Sequence, residues 1–234
     1  MSAVTAEQAH DERVLELLAE TEKAAVYTAR HMDTLRWITI ERGRNYGGLR
    51  NDRRSGTEVV AAIQALIDAG DERLLRYGDS PSYFLAKYNA AVDDQLEIGR
   101  EFHAHEANYT GWQRYWLVVS SAGLVHASQH CHTCNKGRSA TLFALLPSLS
   151  GRSHEALVEA LGPSLCSVCW PDAPVAWTDE QRISPTVTAV LLNQGEEAFW
   201  LALAESRAKA AKRAATKARN DAALAARRAA RAQA

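Results

Sequence analysis

The sequence predicts an α+β protein: a mostly helical N-terminal region, a small β-hairpin and helix module, and a long basic, Ala-rich C-terminal helix. Three observations carry this. Through about residue 100, apolar residues recur at helical spacing between charges. The period then changes in WQRYWLVVSSAGLVHASQHC (112–131), which is short, aromatic and β-branched and reads as a hairpin. From Arg207 onward the chain becomes Ala, Lys and Arg on every face, a composition of high helix propensity and little to bury. The corresponding division is 1–109, 110–178 and 179–234.

The first helix is expected over 7–40, where Val14, Leu17, Leu18, Ala25, Thr28, Met32 and Leu35 form a packing stripe. RGRNYGGLRNDRRSG (42–56) reads as a loop around Gly47–Gly48. Thr57 is the expected cap of a helix over 58–69, with Val59, Val60, Ile63, Leu66 and Ile67 inward and Gly70 as its stop. Ser80–Pro81 starts another over roughly 81–99. After the hairpin, TLFALLPSL (141–149) is a short apolar segment, and Ser153 caps a helix ended by Gly162–Pro163. WPDAPVAWTDE (170–180) is a turn-rich exit. Ser184–Pro185 begins the last helical stretch, interrupted near Gly195.

A chain of 234 residues, 47% hydrophobic and 24% charged, has the composition of a globular protein. No apolar run approaches the roughly 20 residues of a membrane helix. The start, MSAVTAEQAHDERV, lacks the basic and apolar segments of a signal peptide. The formal net charge is -1, but its distribution is uneven. Residues 201–234 hold nine Lys or Arg against Glu205 and Asp221, a net of +7, so the rest of the chain is acidic.

Only four cysteines occur, Cys131, Cys134, Cys166 and Cys169, in two C-x2-C pairs 31 residues apart. So few thiols suit a reducing, cytoplasmic setting better than a disulfide scaffold. Tight turns bring residues i and i+3 together, and four thiolates are the tetrahedral set that zinc prefers. Structural Zn2+ held by Cys131, Cys134, Cys166 and Cys169 is therefore the expectation. An iron–sulfur centre normally has more crowded spacings. A redox C-x-x-C belongs at a helix start after a strand and leaves the second pair unexplained. His126 and His130 are candidates to replace a cysteine or to hydrogen-bond a thiolate. These two and His132 lie too near the cysteines in sequence to argue for a distant catalytic base. EFHAHE (101–106) lacks the His-Glu-x-x-His spacing of a zinc protease, and His103 and His105 share a face only in a strand. A closed shell of four thiolates leaves no site for substrate, so the expectation is a module without catalytic residues.

WQRYWLVVSSAGLVHASQHCHTC, then LPSLSG, then HEALVEALGPSLCSVCWPDAPV, resembles a domain of uncharacterised proteins from actinobacteria and their bacteriophages. The resemblance covers about 112–176 and rests on the aromatic strand, the Gly-x-Val-His turn at Gly123–His126 and the paired motifs. It implies a phage or actinobacterial origin, hence a host cytoplasm, and no activity. Asn135–Lys136–Gly137 departs from the usual pattern.

The expected function is that of a zinc-stabilised, nucleic-acid-binding accessory or regulatory protein, contacting DNA or RNA mostly through phosphates. The candidate residues are Arg42, Arg44, Arg50, Arg53 and Arg54 in the loop, and Lys136 and Arg138 beside the first cysteine pair. Arg207, Lys209, Lys212, Arg213, Lys217 and Arg219 complete the set from the tail. Trp112, Tyr115 and Trp116 suit a core or strand face better than base stacking. The alternatives are a protein-interaction module, binding a host factor or pairing with itself through the first helix as a coiled coil, and a zinc-dependent enzyme.

Overall fold

The computed structural model describes residues 4–40, 52–71, 79–120, 123–134, 136, 140–173 and 182–232, with side chains of the last helix through Arg228. The chain folds as two compact units, Glu12–Thr110, and Met1–Asp11 with Gly111–Ala234. The expected α+β architecture is observed. No described helix is long and apolar enough to cross a membrane. Residues 42–51 of the Gly47–Gly48 loop, Ser121 and Ala122 of the Ser-Ser-Ala-Gly turn, and the exit from Pro174 to Gln181 lie outside the described residues.

Among the described residues, three helices build the first unit. Helix α1 (Ala6–Thr39) begins in the other unit and runs into this one. Helix α2 (Gly56–Asp68) and helix α3 (Pro81–Glu106) complete it. Leu35, Val59 and Ile63 are buried together, flanked by Met32, Ile38, Phe84, Leu85 and Tyr88. Of the stripe expected on α1, Val14, Leu17 and Leu35 are buried whereas Leu18 is 47% exposed. Thr28 turns its hydroxyl to the Ala91 carbonyl of α3 at 3.1 Å. Arg13 spans the same pair of helices to reach Glu101 at 2.6 Å.

Two helix ends differ from expectation. Ser55, not Thr57, caps α2, because Ser55 has Glu58 three positions on. The Ser55 hydroxyl accepts from the Glu58 amide, while the Glu58 carboxylate accepts from the Ser55 amide at 2.6 Å. That reciprocal box satisfies two orphan donors, which a lone threonine does not. Helix α3 runs to Glu106 rather than stopping near 99. His103 and His105 thus sit two residues apart on a helix, about 200° around its axis, and face different ways.

The second unit is built on a three-stranded antiparallel sheet. Strand β1 (Trp116–Val118) lies between β2 (Val125–His126) and β3 (Phe143–Leu145). Trp116 is opposite both His126 and Leu145, and Leu117 is opposite Val125 and Ala144. A 3-10 turn at Pro147–Leu149 leads to helix α4 (His154–Leu161), capped by Ser153 as expected and stopped at Gly162. Helix α5 (Pro185–Gln194) starts on its Ser184 cap, and Gly195, at φ 88°, breaks the chain before helix α6 (Glu196–Ala232). A left-handed residue costs glycine least, which is why the helical pattern divides there.

One core serves the module and both C-terminal helices. Tyr115, Leu117 and Val125 of the hairpin share it with Leu157 and Leu161 of α4, Val187 of α5, and Phe199 and Leu203 of α6. Tyr115 stacks on the buried Trp170 with ring centres 6.0 Å apart and donates its hydroxyl to the Arg152 carbonyl at 2.8 Å. The start of α6 is tied down by Glu196, which accepts from the Ser148 amide at 3.1 Å and the Ser148 hydroxyl at 2.5 Å.

The first turns of α1 are anchored to this unit by Asp11, whose side chain is fully buried. Its carboxylate accepts from Arg114 Nε at 2.8 Å, Trp112 Nε1 at 3.1 Å and the Ser150 hydroxyl at 2.5 Å. Burial by itself raises an acid's pKa. Here hydrogen bonds from Ser150, Arg114 and Trp112, with the Arg114 charge, outweigh it and hold the carboxyl below its usual range. Trp112 and Tyr115 are therefore employed inside the fold.

Candidate metal centre

Both cysteine pairs are placed by the hairpin. The chain leaves β2 through a turn in which the Cys134 amide donates to the Cys131 carbonyl at 2.9 Å. The second pair closes a similar turn, with Trp170 donating to the Cys166 carbonyl at 2.9 Å. The two turns are docked by backbone: Val125 bridges Leu165 in parallel, and the Cys166 amide donates to the Val125 carbonyl at 2.9 Å. Strand β2 thus carries β1 on one edge and the second cysteine turn on the other. This docking sets His126, the residue after Val125, beside Cys166.

The result is a cluster of His126, Cys131, Cys166 and Cys169 whose ligand atoms all lie within 4.8 Å of one another. The Sγ atoms of Cys131 and Cys166 are 3.9 Å apart, and Cys169 Sγ is 3.8 Å from His126 Nδ1. Cys134 is a close neighbour, its sulfur 3.8 Å from Nδ1 and 3.7 Å from Nε2 of His126. His126 is 3% exposed, and its ring meets Phe143 edge-on. Thr133, which sequence reasoning passed over, puts its hydroxyl 3.1 Å from Cys131 Sγ and 3.7 Å from Cys166 Sγ. A hydroxyl between two C-x-x-C sulfurs was detectable only as the residue inside the motif.

The thiols are not equivalent. Burial opposes ionisation at Cys131, but the Thr133 hydroxyl and amide and His126 bring it below the ordinary thiol range. At Cys166 burial is likewise outweighed, here by the amides of Cys169 and Val168 and by Thr133. Burial raises Cys134, and burial with the neighbouring sulfurs' charge pushes Cys169 up to about 12. Sulfurs this close cannot all ionise by themselves, and a divalent cation among them removes that conflict. The arrangement is compatible with a metal site, and every donor belongs to a side chain already fixed by the fold.

The other predicted site residues, where described, lie on separate elements. His130 is exposed, and its amide donates to the Ser128 hydroxyl. His132 and Lys136 are exposed. Arg42, Arg44, Arg50 and Arg138 lie outside the described residues. Arg53 is exposed, while Arg54 grips Asp52, with Nε and NH2 2.9 and 2.7 Å from its carboxylate oxygens, and Thr39. Hydrogen bonds from Arg54 hold Asp52 down to about 2. Arg207 reaches back to the carbonyls of Ala160 and Leu161 at 3.1 and 3.2 Å, closing the end of α4. Lys209, Lys212, Arg213, Lys217 and Arg219 are exposed on α6.

No family model, no curated protein and no solved structure matches the chain.

Proposed function

We propose that the Cys/His cluster holds a structural zinc ion and that the module it stabilises presents α6 to the phosphate backbone of a nucleic acid. Zinc suits a donor set of thiolates and imidazole, with neither carboxylate nor water required. The donors are packed in the core side by side, so the metal's positions are filled by protein, and its role is to join the two cysteine turns.

The observation that carries the binding half is the placement of charge on α6. At 100° per residue, Lys209, Lys212, Arg213, Lys217, Arg219, Arg227 and Arg228 fall within one arc of about 180°. The opposite arc holds Ala208, Ala211, Ala214, Ala215, Ala218, Ala222, Ala225 and Ala226, with Asp221 its single acid. From Lys209 to Arg228 the cations cover about 28 Å of helix. A solvated helix has no need to sort its charges. One that lies along a polyanion does, because each phosphate neutralised releases counterions.

The test is anisotropy of labelled duplex and single-stranded oligonucleotides at 50–200 mM salt. About five phosphate contacts give a slope near -4.5 in log K against log salt, or roughly 500-fold weaker binding over that range. Truncation after Ala208 keeps Arg207 on α4 and is expected to abolish binding. Salt-independent binding, or binding that survives truncation, refutes the reading and points to a protein partner.

A further inference from the structure

We infer that His126, and not Cys134, fills the fourth metal position beside Cys131, Cys166 and Cys169, leaving Cys134 as a spare thiol that electrophiles modify while the metal stays bound. This rests on the metal-binding reading above. It departs from the four-cysteine set that the paired motifs suggest.

Bond lengths decide between the two donors. Zn–S bonds of about 2.3 Å and a Zn–N bond of about 2.0–2.1 Å in a tetrahedron separate neighbouring sulfurs by about 3.8 Å and put sulfur about 3.6 Å from nitrogen. Cys131 and Cys166 stand at 3.9 Å, and Cys169 and His126 Nδ1 at 3.8 Å, both close to tetrahedral edges. Cys134 does not fit beside His126. A co-ligand of a metal bound at one imidazole nitrogen lies about 5 Å from the other nitrogen, by the same bond lengths and the ring's geometry. The Cys134 sulfur is instead 3.8 and 3.7 Å from the two, against the ring and in line with neither.

The backbone agrees. His126 sits in β2, paired with Trp116 on one edge, and its neighbour Val125 is bonded to the Cys166 amide on the other. Its ring is 3% exposed, where an imidazole facing three sulfurs is better satisfied as a ligand. Cys134 and Cys169 are both half-buried, but Thr133 Oγ1 is 4.0 Å from the Cys134 sulfur against 3.1 Å from that of Cys131.

Modification is a substitution. The Cys134 sulfur bonds to the methylene carbon of iodoacetamide, the carbon–iodine bond breaks, iodide leaves and the thiol proton passes to buffer. Three thiols ligated to metal are shielded from this attack.

The experiment is titration of the full chain with Co2+, followed by zinc competition and by iodoacetamide labelling of the zinc-loaded protein. The expected spectrum is that of three thiolates and one imidazole. Cys134→Ser is expected to keep both the spectrum and the zinc affinity within threefold, and labelling to add one group, at Cys134, without zinc release. His126→Ala is expected to change the spectrum. A four-thiolate spectrum, a loss of tenfold or more in Cys134→Ser, or label only on metal-depleted chains overturns the inference but leaves the metal reading intact. Failure to bind cobalt or zinc at all overturns the metal reading instead. Cys134→Ser and the labelling decide the matter even if His126→Ala does not fold.

Discussion

Replacing Asp11 by Asn tests what fastens the start of α1 to the second unit. Asn keeps the shape but loses the charge that faces Arg114, whose side chain is only 13% exposed. The wild-type carboxylate takes hydrogen bonds from Arg114, Trp112 and Ser150, and an amide nitrogen in place of one oxygen turns an acceptor into a donor. Breaking a buried ion pair by removing one partner costs about 3–5 kcal/mol, because the other charge stays buried. At about 2–4 °C per kcal/mol for a chain of this size, the melting temperature falls on the order of 10 °C. The loss also has a pH signature. The folded carboxyl titrates below its unfolded value of about 3.9, so its contribution is complete above that pH and disappears as pH falls through the folded pKa. Urea unfolding at pH 7 and at pH 3 measures both effects, and the gap between wild type and Asp11→Asn is expected to shrink at the lower pH. A loss under about 1 kcal/mol, or an equal loss at both pH values, refutes the assignment of this network as the anchor. Pairing Asp11→Asn with Arg114→Met should recover part of the loss, since removing both charges leaves neither stranded.

Cys166→Ser removes a fully buried donor at the point where the second cysteine turn docks on β2. If the proposed zinc is bound, coupling of about 10–16 kcal/mol in small zinc modules means that elemental analysis should show zinc in wild type and none in the variant, with the near-ultraviolet circular dichroism of the packing around Trp170 lost too. Gly123→Ala places a methyl 2.0 Å from the Val118 carbonyl oxygen, so the backbone must open between Gly123 and Val118, beside the 3.1 Å bond from the Val118 amide to the Leu124 carbonyl. A loss of about 1–3 kcal/mol in urea unfolding is expected, and a neutral result contradicts the described hairpin. Ser55→Ala is expected to cost about 1 kcal/mol through the capping box of α2, with metal content unchanged.

Local chemistry made much of this fold readable in advance. Ser80–Pro81, Ser153 and Ser184–Pro185 announce helix starts because the cap bond is made within three residues, and all three serines accept the bonds expected. The change of period from residue 112 and the break at Gly195 are equally local. The α2 cap was misplaced by two residues because Thr57 also satisfies the pattern, and only the carboxylate of Glu58 distinguishes Ser55.

The sequence alone determined that four thiols come in two turns of one spacing, since C-x2-C geometry depends on nothing outside the turn. That the cations crowd one half of the last helix, rather than every face as expected, emerges only once an unbroken helix fixes 100° per residue. Only tertiary structure decided which donors meet. His126 reaches the sulfurs because Cys166 bonds to Val125 across 41 residues, a pairing set by the sheet edge and the shared core rather than by either motif. The same applies to Asp11 and Ser150, and to Arg207 and the end of α4. Contacts between distant residues depend on how whole elements bury their apolar faces, and no short window of sequence contains that information.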